Sequence, residues 1–259
     1  MNTMDTIRTF AASHPVLCAL CLTLACFVLT LFVTGLALAK LRKPYGDAVA
    51  AIVRLALTAG LLWLVWHLGG LKASGIAQPG RWQIWLLALG GLLYFASAGL
   101  YAFYGKVAFD LSSFQRLPAS RSIAVMNLVT VSHEEILFRG AVLYILLRAW
   151  GHTGQGRLGS VFLTAVLFAV PHLTAVFMGV SHPAALLLVV EGTVIAIWWG
   201  ALVIAGGSIW PAVLLHYVVN VVVAVQGLNV PMVTPDTLAY QRLLWFSIPL
   251  GGIGVWLLL

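Results

Sequence analysis

The chain has 259 residues, of which 62% are hydrophobic and 8% are charged, and its mean hydropathy is +1.03. These values exclude an ordinary soluble domain and indicate a polytopic membrane protein. The net charge is +7, but the Lys and Arg residues lie singly along loops and helix ends. No basic face is formed, so we expect the lipid bilayer rather than nucleic acid as a partner.

Eight apolar runs follow one another along the chain, each near or above the roughly 20 residues that a spanning helix needs. They cover residues 15–39, 48–68, 82–103, 123–147, 158–179, 184–206, 209–225 and 243–259. The segments between them are short and rich in turn-forming residues, so none can fold as a separate soluble domain. We therefore predict an all-α, polytopic transmembrane helix bundle with about eight spanning helices, forming a single integral membrane domain over residues 1–259.

The fourth run contains two adjacent carboxylates, Glu134 and Glu135, with Arg139 one helical turn further on. Charged residues are costly inside a membrane and mark a functional site by default. Residues four apart share a helix face, which predicts an ion pair between Glu135 and Arg139. Glu134 cannot share that face equally, so its carboxylate is left free to act on another group.

Two later runs carry polar or aromatic side chains at the same spacing of four. Phe168 and His172 lie in the fifth run, with Pro171 directly before the histidine, and His216 and Asn220 lie in the seventh. A single histidine or asparagine inside a span often only binds a neighbouring helix. Together with the charged cluster of the fourth run, however, these residues exceed what packing needs and predict one functional site.

Other polar and aromatic residues of the spans have no clear place in that site. Glu191 lies in the sixth run and matches no motif. Arg54 lies near the start of the second run, so we expect it to reach the membrane interface and to be structural. His133 precedes the glutamates but points away from Glu135. Trp198 and Trp199 are expected to anchor or pack the helices.

In chain order, the polar residues form the motifs EExxxR from Glu134, FxxxH from Phe168 and HxxxN from His216. Three such motifs in this order on three separate spans resemble the CPBP family of intramembrane proteases, which includes the CAAX prenyl endopeptidases and bacterial bacteriocin-processing relatives. The resemblance covers residues 123–226, which would form the catalytic core.

The resemblance implies a glutamic-type peptidase. Glu134 would activate a water molecule, and His172 would help to hold or deprotonate it. His216 and Asn220 would donate hydrogen bonds to the oxyanion that forms when water attacks the peptide carbonyl. The residues that would orient this site are Glu135, Arg139 and Phe168.

Zinc is an alternative cofactor, because histidine and carboxylate side chains are common zinc ligands. The alternative ligands are Glu135, His172 and His216. The sequence lacks HExxH, however, and an asparagine on the His216 face suits an oxyanion donor better than a metal ligand. We therefore expect a mechanism without a metal or other cofactor.

The function expected from these residues is hydrolysis of a peptide bond in a membrane-associated or membrane-anchored protein or peptide. The protein would be a multi-pass component of the bacterial inner membrane. A proton- or cation-coupled transporter could use the same buried carboxylates and histidines. That alternative lacks paired discontinuous repeats and gives no reason for HxxxN. A silent scaffold on the same fold would not need every motif residue, and all are present.

Overall fold

The computed structural model describes residues 3–41, 45–105, 112, 117–227 and 240–259. These residues are mostly helical and include no β-strand, which confirms the all-α prediction. The α-helices are α1 (Thr3–Ser13), α2 (Pro15–Lys40), α3 (Tyr45–His67), α4 (Trp82–Tyr94), α5 (Leu100–Tyr104), α6 (Leu117–Glu135), α7 (Leu143–Trp150), α8 (Gly154–Ala169), α9 (His182–Gly206), α10 (Trp210–Gly227) and α11 (Ile248–Leu258). Other helical segments are the π-helices Phe95–Gly99, Ile136–Val142 and Leu243–Ser247 and the 3-10 helix Val170–Met178.

All eight predicted runs are helical, and six helices of the described chain are long and apolar enough to cross a membrane. The two remaining runs differ from these six for physical reasons. The run that begins with α6 carries Glu134, Glu135 and Arg139 near its middle. The run formed by α10 is apolar but has fewer than 18 residues over Trp210–Gln226. The chain is an integral multi-pass membrane protein, and its number of spans is approximate.

Large apolar side chains cover the outside of the bundle. Leu24, Phe32 and Ile52 are each more than half exposed, on the two helices α2 and α3 that pack against each other. Such a surface would be unstable in water but suits lipid chains. Glu135, Arg139 and His216, in contrast, are buried, which places the chemistry inside the bundle.

Helix α9 lies at the centre of the fold and packs against α8, α10 and α11. Glycines allow α11 to approach α9 closely: a Cβ atom at Gly254 would lie 2.7 Å from the Cα of Trp198, and one at Gly251 would lie 2.5 Å from the Val194 side chain. Small residues at helix contacts are the usual means of close packing in membranes. This packing buries the α9 face that carries Trp198.

The helix that carries the two glutamates changes its winding directly after them. Helix α6 ends at Glu135, a π-helix runs over Ile136–Val142, and α7 continues in the same direction. π-Helical turns inside α-helices occur frequently at functional sites. Every residue of this π-helix is buried, so the change of winding lies in the core of the bundle.

Helix α8 ends at Ala169, and a 3-10 helix begins at Val170. Pro171 explains the change, because proline lacks the N–H group that an α-helix would need at that position. The predicted fifth run is therefore a single apolar stretch made of two kinds of helix. His172 lies just after the proline, on the 3-10 helix rather than on α8.

Candidate active site

Glu135 and Arg139 form a buried ion pair. The Arg139 Nη1 atom donates to Glu135 Oε1 at 3.0 Å, and the two side chains are only 1% and 0% exposed. The pair predicted from helical spacing is thus present, although a π-helix follows Glu135. Glu135 Oε2 and the Arg139 Nε and Nη2 atoms have no hydrogen-bond partner among the described residues.

His216 reaches from α10 to both glutamates. Its Nδ1 atom lies 2.8 Å from Glu135 Oε1, and because a carboxylate only accepts, Nδ1 carries the proton and donates it. The Nε2 atom lies 3.7 Å from Glu134 Oε2. Glu135 therefore binds Arg139 and His216 at one oxygen, and His216 links the two glutamates.

Glu134 differs from Glu135 in its surroundings. Its side chain is 34% exposed, whereas that of Glu135 is fully buried. Glu134 lines a cavity of about 410 Å³ together with Thr30, Arg54 and His172; we call this space the Glu134 cavity. The two adjacent carboxylates are therefore divided as expected, one held by an arginine and the other facing open space.

Phe168 lies at the centre of an aromatic cluster that covers the ion pair. The Arg139 guanidinium lies 4.6 Å from the centroid of the Phe168 ring and 5.3 Å from that of Trp199. Trp199 also stacks on the His216 ring at a centroid distance of 4.5 Å. These contacts partly offset the missing hydrogen bonds of the guanidinium, because aromatic faces attract cations.

His172 is held by the backbone of its own segment. Its Nδ1 atom lies 3.1 Å from the carbonyl oxygen of Ala169, which can only accept, so Nδ1 donates to it. The neutral ring then has Nε2 as a free acceptor. His172 lines the Glu134 cavity and also a second cavity, so it lies where the two spaces meet.

The second cavity has a volume of about 290 Å³ and is lined by His216 and Asn220 from α10; we call it the Asn220 cavity. The Asn220 side chain is half-buried and makes no hydrogen bond with the residues that the structure describes. Phe168 and His172 line this cavity and also a smaller cavity that Glu134 lines. The predicted water-activating and oxyanion-binding residues thus line neighbouring cavities that have His172 in common.

Two residues near the site were not assigned by sequence reasoning. Arg242 Nε donates to Glu191 Oε2 at 3.2 Å, and both residues line the Asn220 cavity. Glu191, which matches no motif, is therefore paired with an arginine. Trp199 packs against His216 and Arg139, and it is buried rather than interfacial. The apolar sequence pattern could show that Trp199 lies in a membrane span, but not that its side chain contacts α10.

The alternative zinc ligands are not brought together as a metal site. Glu135 Oε1 is already occupied by Arg139 and by the proton on His216 Nδ1. Across the described residues no three His, Cys, Asp or Glu side chains are placed to hold a metal ion. The donor set does not fit zinc in this arrangement, and we derive no step through a metal.

Residues 118–222 match a family model described as Rce1-like, type II CAAX prenyl endopeptidase Rce1-like. Over these residues the chain is similar to the Rce1-like family. The matched segment contains all three motifs, which confirms the resemblance to the CAAX proteases. No curated protein and no solved structure matches the chain.

The family match has consequences for the class of protein. Rce1-like proteins are CAAX prenyl endopeptidases, so the chain is a hydrolase of the intramembrane protease type. The transporter alternative finds no support.

Another cavity, of about 630 Å³, is lined mainly by apolar residues around Trp85, Trp210 and Tyr217 and contains none of the predicted site residues.

Proposed function

We propose that this Rce1-like protein hydrolyses a peptide bond of a membrane-anchored protein or peptide, with Glu134 as the general base. The observation that carries the proposal is the contact of His216 with both glutamates, at 2.8 Å and 3.7 Å. Glu135 is held by His216 and Arg139, whereas Glu134 faces the Glu134 cavity. Hydrolysis in a bilayer needs such a free base beside open space.

The attacking water lies between Glu134 and His172 in this scheme. Both side chains line the Glu134 cavity, and Nε2 of His172 is free to accept a hydrogen bond. Glu134 removes one proton from the water while the oxygen attacks the carbonyl carbon of the substrate. General bases of this kind contribute about 10²- to 10⁴-fold to the rate.

The oxyanion that forms is stabilised by His216 and Asn220. Because His216 Nδ1 already donates to Glu135, donation from Nε2 requires a proton on both ring nitrogens. The Asn220 carboxamide has a free N–H donor for the same oxygen, in a site with few competing water molecules.

Glu134 also returns the proton that it takes from water. Water adds its hydroxyl group to the carbonyl carbon, and the proton held by Glu134 passes to the nitrogen of the leaving amine as the C–N bond breaks. Glu134 returns to the carboxylate form for the next reaction. Glu135, Arg139 and Phe168 orient the site by holding the His216 ring in place, so they act without touching the substrate.

A mechanism without a metal suits the donor groups best, because Glu135 and His216 already bind each other. The experiment uses the purified chain in vesicles that contain peptides on a lipid anchor or a membrane helix. Prenylated peptides belong in this set, since the matched family is named for them. We expect new peptide ends in mass spectra, only for anchored peptides, and unchanged rates after treatment with a strong chelator. Activity that chelation removes and only zinc restores would contradict the metal-free mechanism.

Asn220→Ala is expected to lower kcat by about 10²- to 10³-fold, as for the loss of one oxyanion donor. KM should change little, because the lost hydrogen bond forms mainly in the transition state. Steady-state kinetics on the anchored peptide check this expectation.

Asn127→Ala is the matched control for Asn220→Ala. Asn127 is also an asparagine in a membrane helix, but its Nδ2 atom donates to the carbonyl oxygen of Ile123 at 2.9 Å. Its removal should leave kcat unchanged. An Asn220→Ala protein with the kcat of the unmodified chain would remove Asn220 from the oxyanion site.

A further inference from the structure

Arg54 lines the Glu134 cavity from α3, in the interior of a spanning helix. Helix α3 begins at Tyr45, so Arg54 is nine residues along it, or about 13 Å at the helical rise. Its side chain is partly buried and faces the cavity that contains Glu134 and His172. The sequence-based expectation of a purely structural residue at the interface does not explain this position, because a charge here is costly unless it binds something.

The guanidinium of Arg54 has few partners of its own. Nη1 donates to the carbonyl oxygen of Ala50 at 3.2 Å, one turn earlier on the same helix. Arg54 is within electrostatic range of Glu134, yet no carboxylate of the described residues comes within 4.0 Å of it. A guanidinium has five N–H donors, so most of them are available to a molecule in the cavity.

The wall of the cavity next to Arg54 has further unused polar groups. Thr30 and Thr34 of α2 line the cavity, and their buried hydroxyl groups have no hydrogen-bond partner among the described residues. Buried polar atoms are normally paired, and unpaired ones require an explanation. The Arg54 guanidinium places a cation in the cavity beside the proposed general base, and the two hydroxyl groups lie within the cavity wall, so the cavity suits an anionic group.

The position of Arg54 is fixed relative to Glu134. Thr58 Oγ1 donates to the carbonyl oxygen of Arg54 at 2.7 Å and accepts from His133 Nδ1 at 3.1 Å. His133 is the residue directly before Glu134. This bridge between α3 and α6 holds the turn that carries Arg54 beside the turn that carries the base, so a group bound at Arg54 lies at a defined place relative to the reaction.

We infer that Arg54 is a specificity-determining residue that binds a carboxylate of the peptide substrate while the scissile bond lies at Glu134. The inference rests on the proposed function of this site. A carboxylate fits because it can accept two N–H groups of a guanidinium and a hydroxyl group at once. In a peptide it comes either from the free C-terminus or from an Asp or Glu side chain near the cleaved bond.

The test uses the full chain in phosphatidylcholine vesicles and the anchored peptide that it cleaves fastest. Three forms of that peptide are compared: a free C-terminus, a C-terminal amide, and an amide with an aspartate within three residues after the cleaved bond. We expect kcat/KM to be about 10- to 100-fold higher for a form with the recognised carboxylate, as for hydrogen bonds to charged groups. The form that is preferred identifies the source of the carboxylate.

Variants then assign the preference to Arg54. Arg54→Gln should remove the preference, so that the carboxylate and amide forms are cleaved with the same kcat/KM, whereas Arg54→Lys should keep part of the preference. Arg148→Gln is the matched control. Arg148 Nη1 donates to the carbonyl oxygen of Leu68 at 3.2 Å, away from the cavity, so its loss should not change the ratio between the forms.

Each outcome separates this inference from the proposed function. If the unmodified chain cleaves no form, the proposed function fails. If it cleaves the carboxylate and amide forms equally, the function stands and the inference is wrong, and this comparison needs no variant. An Arg54→Gln protein that loses the same factor on every form would mean that Arg54 acts on Glu134 or on folding instead, which also overturns the inference.

Discussion

Glu134→Gln is expected to lower kcat by at least about 10³-fold while the protein folds and inserts as before. The amide of Gln cannot take a proton from water, so the base is lost. The effect on folding should be small, because the Glu134 side chain is 34% exposed and is not part of the buried ion pair. Single-turnover cleavage of the anchored peptide measures the first effect, and thermal unfolding in detergent micelles measures the second.

The control for Glu134→Gln is the same change at Glu191, a buried carboxylate to which the mechanism assigns no role. Glu191 pairs with Arg242, and Glu191→Gln should change stability more than the chemical step. A folded Glu134→Gln protein with undiminished cleavage would show that Glu134 is not the base. Equal losses of activity in both variants would show that the measurement reports folding rather than chemistry.

Glu135→Gln and Arg139→Met are each expected to lower the free energy of unfolding by about 3–5 kcal/mol, because each leaves an uncompensated buried charge. The side chains are 0% and 1% exposed, so water cannot replace the lost partner. The Glu135 variant also removes the negative charge beside His216, which should lower activity in any protein that still folds. Chemical denaturation in micelles, followed by tryptophan fluorescence, measures the change.

The double variant Glu135→Gln with Arg139→Met should be less destabilised than the two single changes added together, since it removes both charges. The coupling energy from the four proteins measures the contact directly. Single variants as stable as the unmodified chain, or losses that add without coupling, would contradict a buried ion pair between these two residues.

The sequence predicted those parts of the site that depend on spacing along one helix. Glu135 and Arg139 are four residues apart, and they pair at 3.0 Å. The prediction succeeded even though a π-helix begins at Ile136. That π-helix was not predicted, because no glycine or proline marks its start; all of its residues are buried. Pro171, in contrast, explains the change of α8 into a 3-10 helix, although that change was not predicted from it.

Contacts between helices were beyond sequence reasoning. His216 was expected to donate to an oxyanion, and its Nδ1 contact with Glu135 depends on the height and rotation of α10 against α6. The same holds for Arg242, which meets Glu191 only because the C-terminal helices pack on α9. Helical periodicity predicts which face of its helix a residue lies on, but not which other helix packs against that face. The roles of the site residues, the catalytic core at 123–226 and the bacterial inner membrane remain predictions.

Hydrolysis in water enriched in ¹⁸O tests most directly whether Glu134 activates water or attacks the peptide itself. The unmodified chain is mixed in excess with the anchored peptide for a single turnover, and both products and protein are measured by mass spectrometry. We predict one ¹⁸O atom in the new C-terminal carboxylate of the peptide and none in the protein fragment that contains Glu134. A product without ¹⁸O, together with ¹⁸O in that fragment, would contradict a general base and indicate a covalent acyl intermediate on the glutamate.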